Sequence, residues 1–209
     1  MKPQKIEKDK VILTEGMDVK MFCIWACEAY NLEAQVFDFG GIDDLTTYLE
    51  AFRLSVGFNN VKSLVVVRDA ETNSTAAIKS IKKSFRAASL PEPACPYEFQ
   101  SGNPKTAFAI LPGTTIEGNP LQYKNGALED LCLSIALDPL HTISCVDDFL
   151  TAANSIGCKL SHPHKSKLNA YLSIQNDYVG MKIGEAAKAN AWNWEHTNMN
   201  KLKHLFSEM

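Results

Sequence analysis

Two short runs of apolar, largely β-branched residues, each stopping abruptly in carboxylates, constrain this chain more than any other feature. They are Ile12-Leu13-Thr14-Glu15-Gly16-Met17-Asp18 and Val65-Val66-Val67-Arg68-Asp69-Ala70-Glu71. A strand that is apolar on both sides belongs inside a parallel sheet covered on both faces. In such sheets ligands gather beyond the carboxyl ends of the strands. The two segments therefore deliver acidic groups to one edge of one sheet. Oxygen donors of that kind suit the hard cations Mg²⁺ or Mn²⁺.

The surrounding pattern predicts an α/β fold. Residues 1–115 alternate strand and helix, with strands over 11–14, 34–39, 63–68 and 107–111. Helices are expected to open at Asp18, at Asp43 or Asp44, and near Ser74. Leu45, Tyr48, Leu49 and Phe52 fall at i, i+3, i+4 and i+7, one apolar stripe of a helix. Repeated βα units imply a parallel sheet with right-handed crossovers and helices on both faces. Residues 116–209 read as helical over 127–137, 146–156, 165–174, 183–191 and 200–206. The expectation is an α/β core over 1–115 and a helical extension over 116–209 packed on it as one compact unit.

Composition narrows the function classes. A net charge of −3 on 209 residues gives no global attraction to nucleic acid or to an anionic membrane, so such binding requires a local basic patch. No apolar run approaches the ~20 residues that span a bilayer, and no signal-peptide core follows the basic N-terminus. A cytoplasmic protein without membrane contact is expected. Six cysteines without a CxxC pair point to reduced thiols rather than to zinc.

The candidate site is acidic. Asp69 and Glu71, two apart, share a side if extended geometry persists through Glu71, and Glu15 arrives from a neighbouring strand. Clustered carboxylates repel unless a cation neutralises them. Asp69 and Asp18 also suit helix caps; a Glu-Gly pair such as Glu15-Gly16 does not. Glu129 and Asp130 are an acidic pair early in a helix, explained either by the helix dipole or as further metal ligands. Lys79, Lys82, Lys83 and Arg86 fall at i, i+3, i+4 and i+7, either a solvated helix face or a track for a phosphate backbone. His162-Pro163-His164 reads as a surface loop. No P-loop, GxGxxG or GxSxG motif occurs.

Glu15-Gly16-x-Asp18 after a first strand, Gly40-Gly41-Ile42-Asp43, and the Asp69-x-Glu71 pair after a third strand together resemble the Toprim arrangement. Toprim domains are shared by topoisomerases, DnaG-type primases and OLD-type nucleases. A Toprim-like prokaryotic family resembles the chain further in residues 126–131, 165–172 and 183–187, so the likeness runs in order over nearly the whole length. It implies a mostly parallel, four-stranded sheet flanked by helices. It implies Mg²⁺ or Mn²⁺ held by Asp69 and Glu71, with Glu15 as acid–base group or ligand and Asp18, Glu129 and Asp130 nearby. Glu71 departs from the second aspartate of the Toprim pair; its extra methylene moves the carboxylate outward by about one bond, and Mg²⁺ is exacting about placement. The activity implied is metal-dependent phosphodiester chemistry on DNA or RNA, a nuclease first. The alternative is a non-catalytic Toprim-like module working beside a separate ATPase.

Overall fold

The computed structural model describes residues 5–41, 43–137 and 140–209, so Ile42 of the Gly40–Asp43 segment lies outside them. Four strands, β1 (Lys10–Glu15), β2 (Gln35–Gly40), β3 (Ser63–Asp69) and β4 (Lys105–Leu111), pair in the order β2-β1-β3-β4. Every pairing in this sheet is parallel. Three helices alternate with the strands: α1 (Gly16–Ala29), α2 (Leu45–Arg53) and α3 (Ser74–Ala87). A two-stranded hairpin follows, β5 (Thr115–Ile116) and β6 (Asn119–Tyr123). Then come α4 (Leu128–Ser134), α5 (Leu140–Ser155), α6 (Pro163–Ser173), α7 (Ile183–Lys188) and α8 (Asn200–Ser207).

The strand residues sort by parity into two apolar layers. Ile12, Val65, Val67, Ala107, Ala109 and Leu111 pack with α1 and with Leu131, Tyr171, Trp192 and Phe206 from the second half of the chain. Val11, Leu13, Leu64, Val66, Phe108 and Ile110 pack with Leu45, Leu49 and Phe52 of α2 and Ile81 and Phe85 of α3. This period of two is what a pleated strand imposes on a run buried on both faces. Each such aliphatic side chain contributes roughly 1.5–3 kcal/mol on burial, which is why the apolar runs settle as the two inner strands, β1 and β3.

Several boundaries differ from the sequence reading. The first helix opens at Gly16 rather than Asp18, so Asp18 sits inside the first turn and makes no cap hydrogen bond. Pro163 begins α6, so His162-Pro163-His164 straddles a helix start, where proline at the first helical position is favoured. The third helix is capped by Asn73, whose side chain accepts the Ala76 N–H at 2.9 Å. No described helix is long and apolar enough to cross a membrane.

Candidate functional site at the carboxyl edge

The chain leaves β1 toward β2 on one side, while β3 joins β1 on the other. The β1–β3 junction is therefore the switch point of the sheet, the position where parallel sheets open a crevice at their carboxyl ends. Thr14 pairs with Val67 there, so Glu15 and Arg68-Asp69 are the next residues out. Asp38, two residues before the end of β2, holds the turn: its Oδ1 accepts the N–H groups of Gly16 at 2.9 Å and Gly40 at 2.8 Å. Gly16 takes φ +79°, a conformation that glycine reaches without a Cβ penalty.

Asp69 is the centre of the cluster. Its Oδ1 accepts the N–H of Leu128, the first residue of α4, at 2.9 Å. It thus caps a helix 59 residues away rather than the one that follows it. Burial comes first, then the charges of Glu129, Glu15 and Glu71; together they push the Asp69 carboxyl from 3.8 to about 8, against the pull of the Leu128 N–H. Extended geometry does not persist to Glu71. The strand ends at Asp69, and Glu71 adopts φ 53°, exchanging 2.8 Å backbone hydrogen bonds with Gly126. Asp69 and Glu71 are neighbours through that left-handed step, not through strand alternation. Gly126 is needed beside it, since a Cβ there would sit 2.5 Å from Asp130 Oδ2.

The acidic pair of α4 divides its work. Asp130 Oδ2 accepts the Ala127 N–H at 2.8 Å, and its Oδ1 meets His164 Nδ1 at 2.9 Å. Asp130 is a helix-start residue paired with His164. Glu129 is only 4% exposed. Burial raises its pKa, with Lys165 pulling down and Asp18 and Asp130 pushing up. Asp18 and Glu129 line one cleft with Lys165 and Lys182. All six acidic positions singled out in the sequence thus stand at one edge, coupled in two overlapping groups around Asp69 and Glu129.

Arg68 is the member that sequence reading passed over. Its side chain is buried between Val67 and Asp69, and its Nε lies 3.0 Å from Glu15 Oε2. The contact is an ion pair without hydrogen-bond alignment, for Glu15 Oε2, Arg68 Nε and Arg68 Nη1 otherwise lack a partner among the described residues. Burial pushes the Glu15 carboxyl up; Arg68 opposes that and Glu71 adds to it. The one available signal was an arginine inside an otherwise apolar strand.

The basic stripe is only half available. Arg86 forks onto Glu92 at 2.7 and 3.0 Å, and Lys82 donates to the Ala94 carbonyl at 2.9 Å with Glu92 at 3.8 Å. Both side chains pin the proline-rich loop after α3. Lys79 and Lys83 are exposed.

The donor set is all carboxylate, crowded and partly buried, and its chemistry fits a hard divalent cation. The arrangement is not a closed cage: among the described residues no three His, Cys, Asp or Glu side chains are placed to hold a metal ion together. Cys23, Cys27 and Cys132 are buried free thiols, and burial together with the charges of Glu129, Asp69, Asp18 and Asp130 keeps the Cys132 thiol protonated.

A family model described as "Protein of unknown function (DUF3226)" matches residues 9–209. No curated protein and no solved structure matches the chain.

Proposed function

As the chain belongs to the DUF3226 family, and given its acidic edge, we propose that it carries out divalent-metal-dependent phosphodiester chemistry on nucleic acid in the manner of a Toprim nuclease. The observation that supports this most is the meeting of Glu15, Asp69, Glu71 and Glu129 at the β1–β3 switch point, with Asp69 held protonated up to about pH 8. Carboxylates so crowded are in deficit of a positive charge. Asp69 and Glu71 are the ligands, Glu129 and Asp18 the reserve, and Glu15 a ligand or the base for an attacking water. Bound Mg²⁺ or Mn²⁺ supplies charge neutralisation at the scissile phosphate and a more acidic water. The protein's own part is to gather the ligands, hold Glu15 through Arg68, and fix the loop after β1 through Asp38.

One observation favours a second reading. The Arg68 guanidinium already stands against Glu15, an internal cation where a Toprim enzyme would use the glutamate. With Glu71 in place of an aspartate, this suits a non-catalytic Toprim-like module that acts with a separate ATPase.

A cleavage assay on single- and double-stranded DNA and RNA with Mg²⁺ or Mn²⁺ separates the two. The nuclease reading expects metal-dependent cutting that Glu15→Gln lowers by at least about 100-fold, the scale of losing a general base. Uncut substrates across the panel, or a Glu15→Gln protein that cuts at the wild-type rate, would transfer the case to the non-catalytic module.

A further inference from the structure

Beside the acidic edge lies a cleft of about 220 Å³ with charges of both signs on its walls. Asp18 and Glu129 line it from α1 and α4; Lys165 and Asn169 come from α6, and Lys182 stands just ahead of α7. Lys165 and Lys182 are exposed, and neither ammonium makes an ion pair or hydrogen bond with another described side chain. Their neighbours are occupied: Lys167 pairs with Asp147 at 2.7 Å and His164 with Asp130 at 2.9 Å. The carboxylate wall is continuous with the cluster, since Glu129 acts directly on Asp69. The volume is below the roughly 300–1,000 Å³ of pockets that enclose whole small molecules, so it suits a single charged group.

We infer that this cleft is a phosphate subsite, in which Lys165 and Lys182 take the non-bridging oxygens of a phosphate beside the carboxylates. Lysine binds phosphate as a mobile point charge, and two ammonium groups without a salt-bridge partner in a cleft shared with two carboxylates, Lys165 already acting on Glu129, give an anion and a cation adjacent seats. The inference rests on the nuclease reading and adds the path of the substrate to it. The backbone crosses α6 and the start of α7, not α3, where Lys82 and Arg86 are already engaged by the 91–96 loop.

The test compares wild type, Lys165→Gln/Lys182→Gln and Lys79→Gln/Lys83→Gln. Two probes are used: a labelled single-stranded oligonucleotide, followed by anisotropy over a salt series, and inorganic pyrophosphate, followed by calorimetry. All four substituted lysines are exposed, so each variant folds. The cleft variant should lose at least tenfold in oligonucleotide affinity and bind no pyrophosphate. Its salt slope should fall by about 1.4, two lysines at ~0.7 each. The stripe variant should match wild type. Wild-type affinity and slope in the cleft variant, or a wild type that binds neither probe, would overturn the subsite. Lysine-dependent pyrophosphate binding in a protein that cleaves nothing would keep the subsite and remove the nuclease reading. Metal-dependent cleavage untouched by the cleft variant would do the reverse.

Discussion

Asp69→Asn should be more stable than wild type at pH 8 by about 3 kcal/mol, and no more stable at pH 4. The cause is the buried carboxyl at the centre of the cluster. In the folded protein Asp69 titrates near 8, against 3.8 for an ordinary aspartate. A raised carboxyl pKa leaves stability intact below the unfolded value and removes it as pH climbs through the folded one. The window therefore opens near pH 4 and closes near pH 8. At 1.36 kcal/mol per unit the full displacement sets a ceiling of roughly 6 kcal/mol, and relaxation of Glu15, Glu71 and Glu129 lowers what is realised. Asparagine keeps an oxygen for the Leu128 N–H and carries no charge to bury. For a chain of this length the gain corresponds to a Tm about 10 °C higher at pH 8. Urea melts at both pH values check it. Equal pH dependence in the two proteins would mean that Asp69 ionises normally and that the cluster is not starved of positive charge.

Arg68→Met should cost about 3–5 kcal/mol, the largest loss expected from any single change at this edge. Removing one partner of a buried pair strands the other charge, here Glu15, whose side chain is 15% exposed. The pair is not itself a strong net stabiliser, because two desolvated charges largely offset their attraction. Arg68→Met combined with Glu15→Leu should thus recover most of the loss, giving a coupling of a few kcal/mol in a double-mutant cycle. Additive losses would show that Arg68 is held by packing alone and leaves Glu15 to other partners.

Much of the frame is readable in the residues themselves. The run from Leu64 to Val67 has no polar face, and only the interior of a parallel sheet accommodates that. The carboxylates that end β1 and β3 are visible because they break those runs, and order β2-β1-β3-β4 carries them to a shared edge. What the sequence conceals depends on contacts distant along the chain. The Asp69 bond to Leu128 spans 59 residues. Arg68 looks like a strand-end cation until Glu15 from β1 is set 3.0 Å from it. The turn at Glu71 exists because Gly126 pairs with it from the other side, and a period-two reading has no way to register that stop. The hairpin 115–123 lacks apolar alternation and carries no strand signal. The lysines show the same limit. A helical stripe on α3 stands out as a pattern, whereas Lys165 and Lys182 are 17 positions apart and meet only through the packing of α6, α7 and α1 around one cleft.

The decisive measurement is a calorimetric titration of Mg²⁺ and Mn²⁺ into wild type and Asp69→Asn at pH 8. Saturable binding by wild type, accompanied by proton release from the cluster and abolished in Asp69→Asn, is the expected result, since a cation must displace the proton that Asp69 holds. Binding of equal strength in both proteins, or heat in neither, would contradict a metal site at the β1–β3 edge.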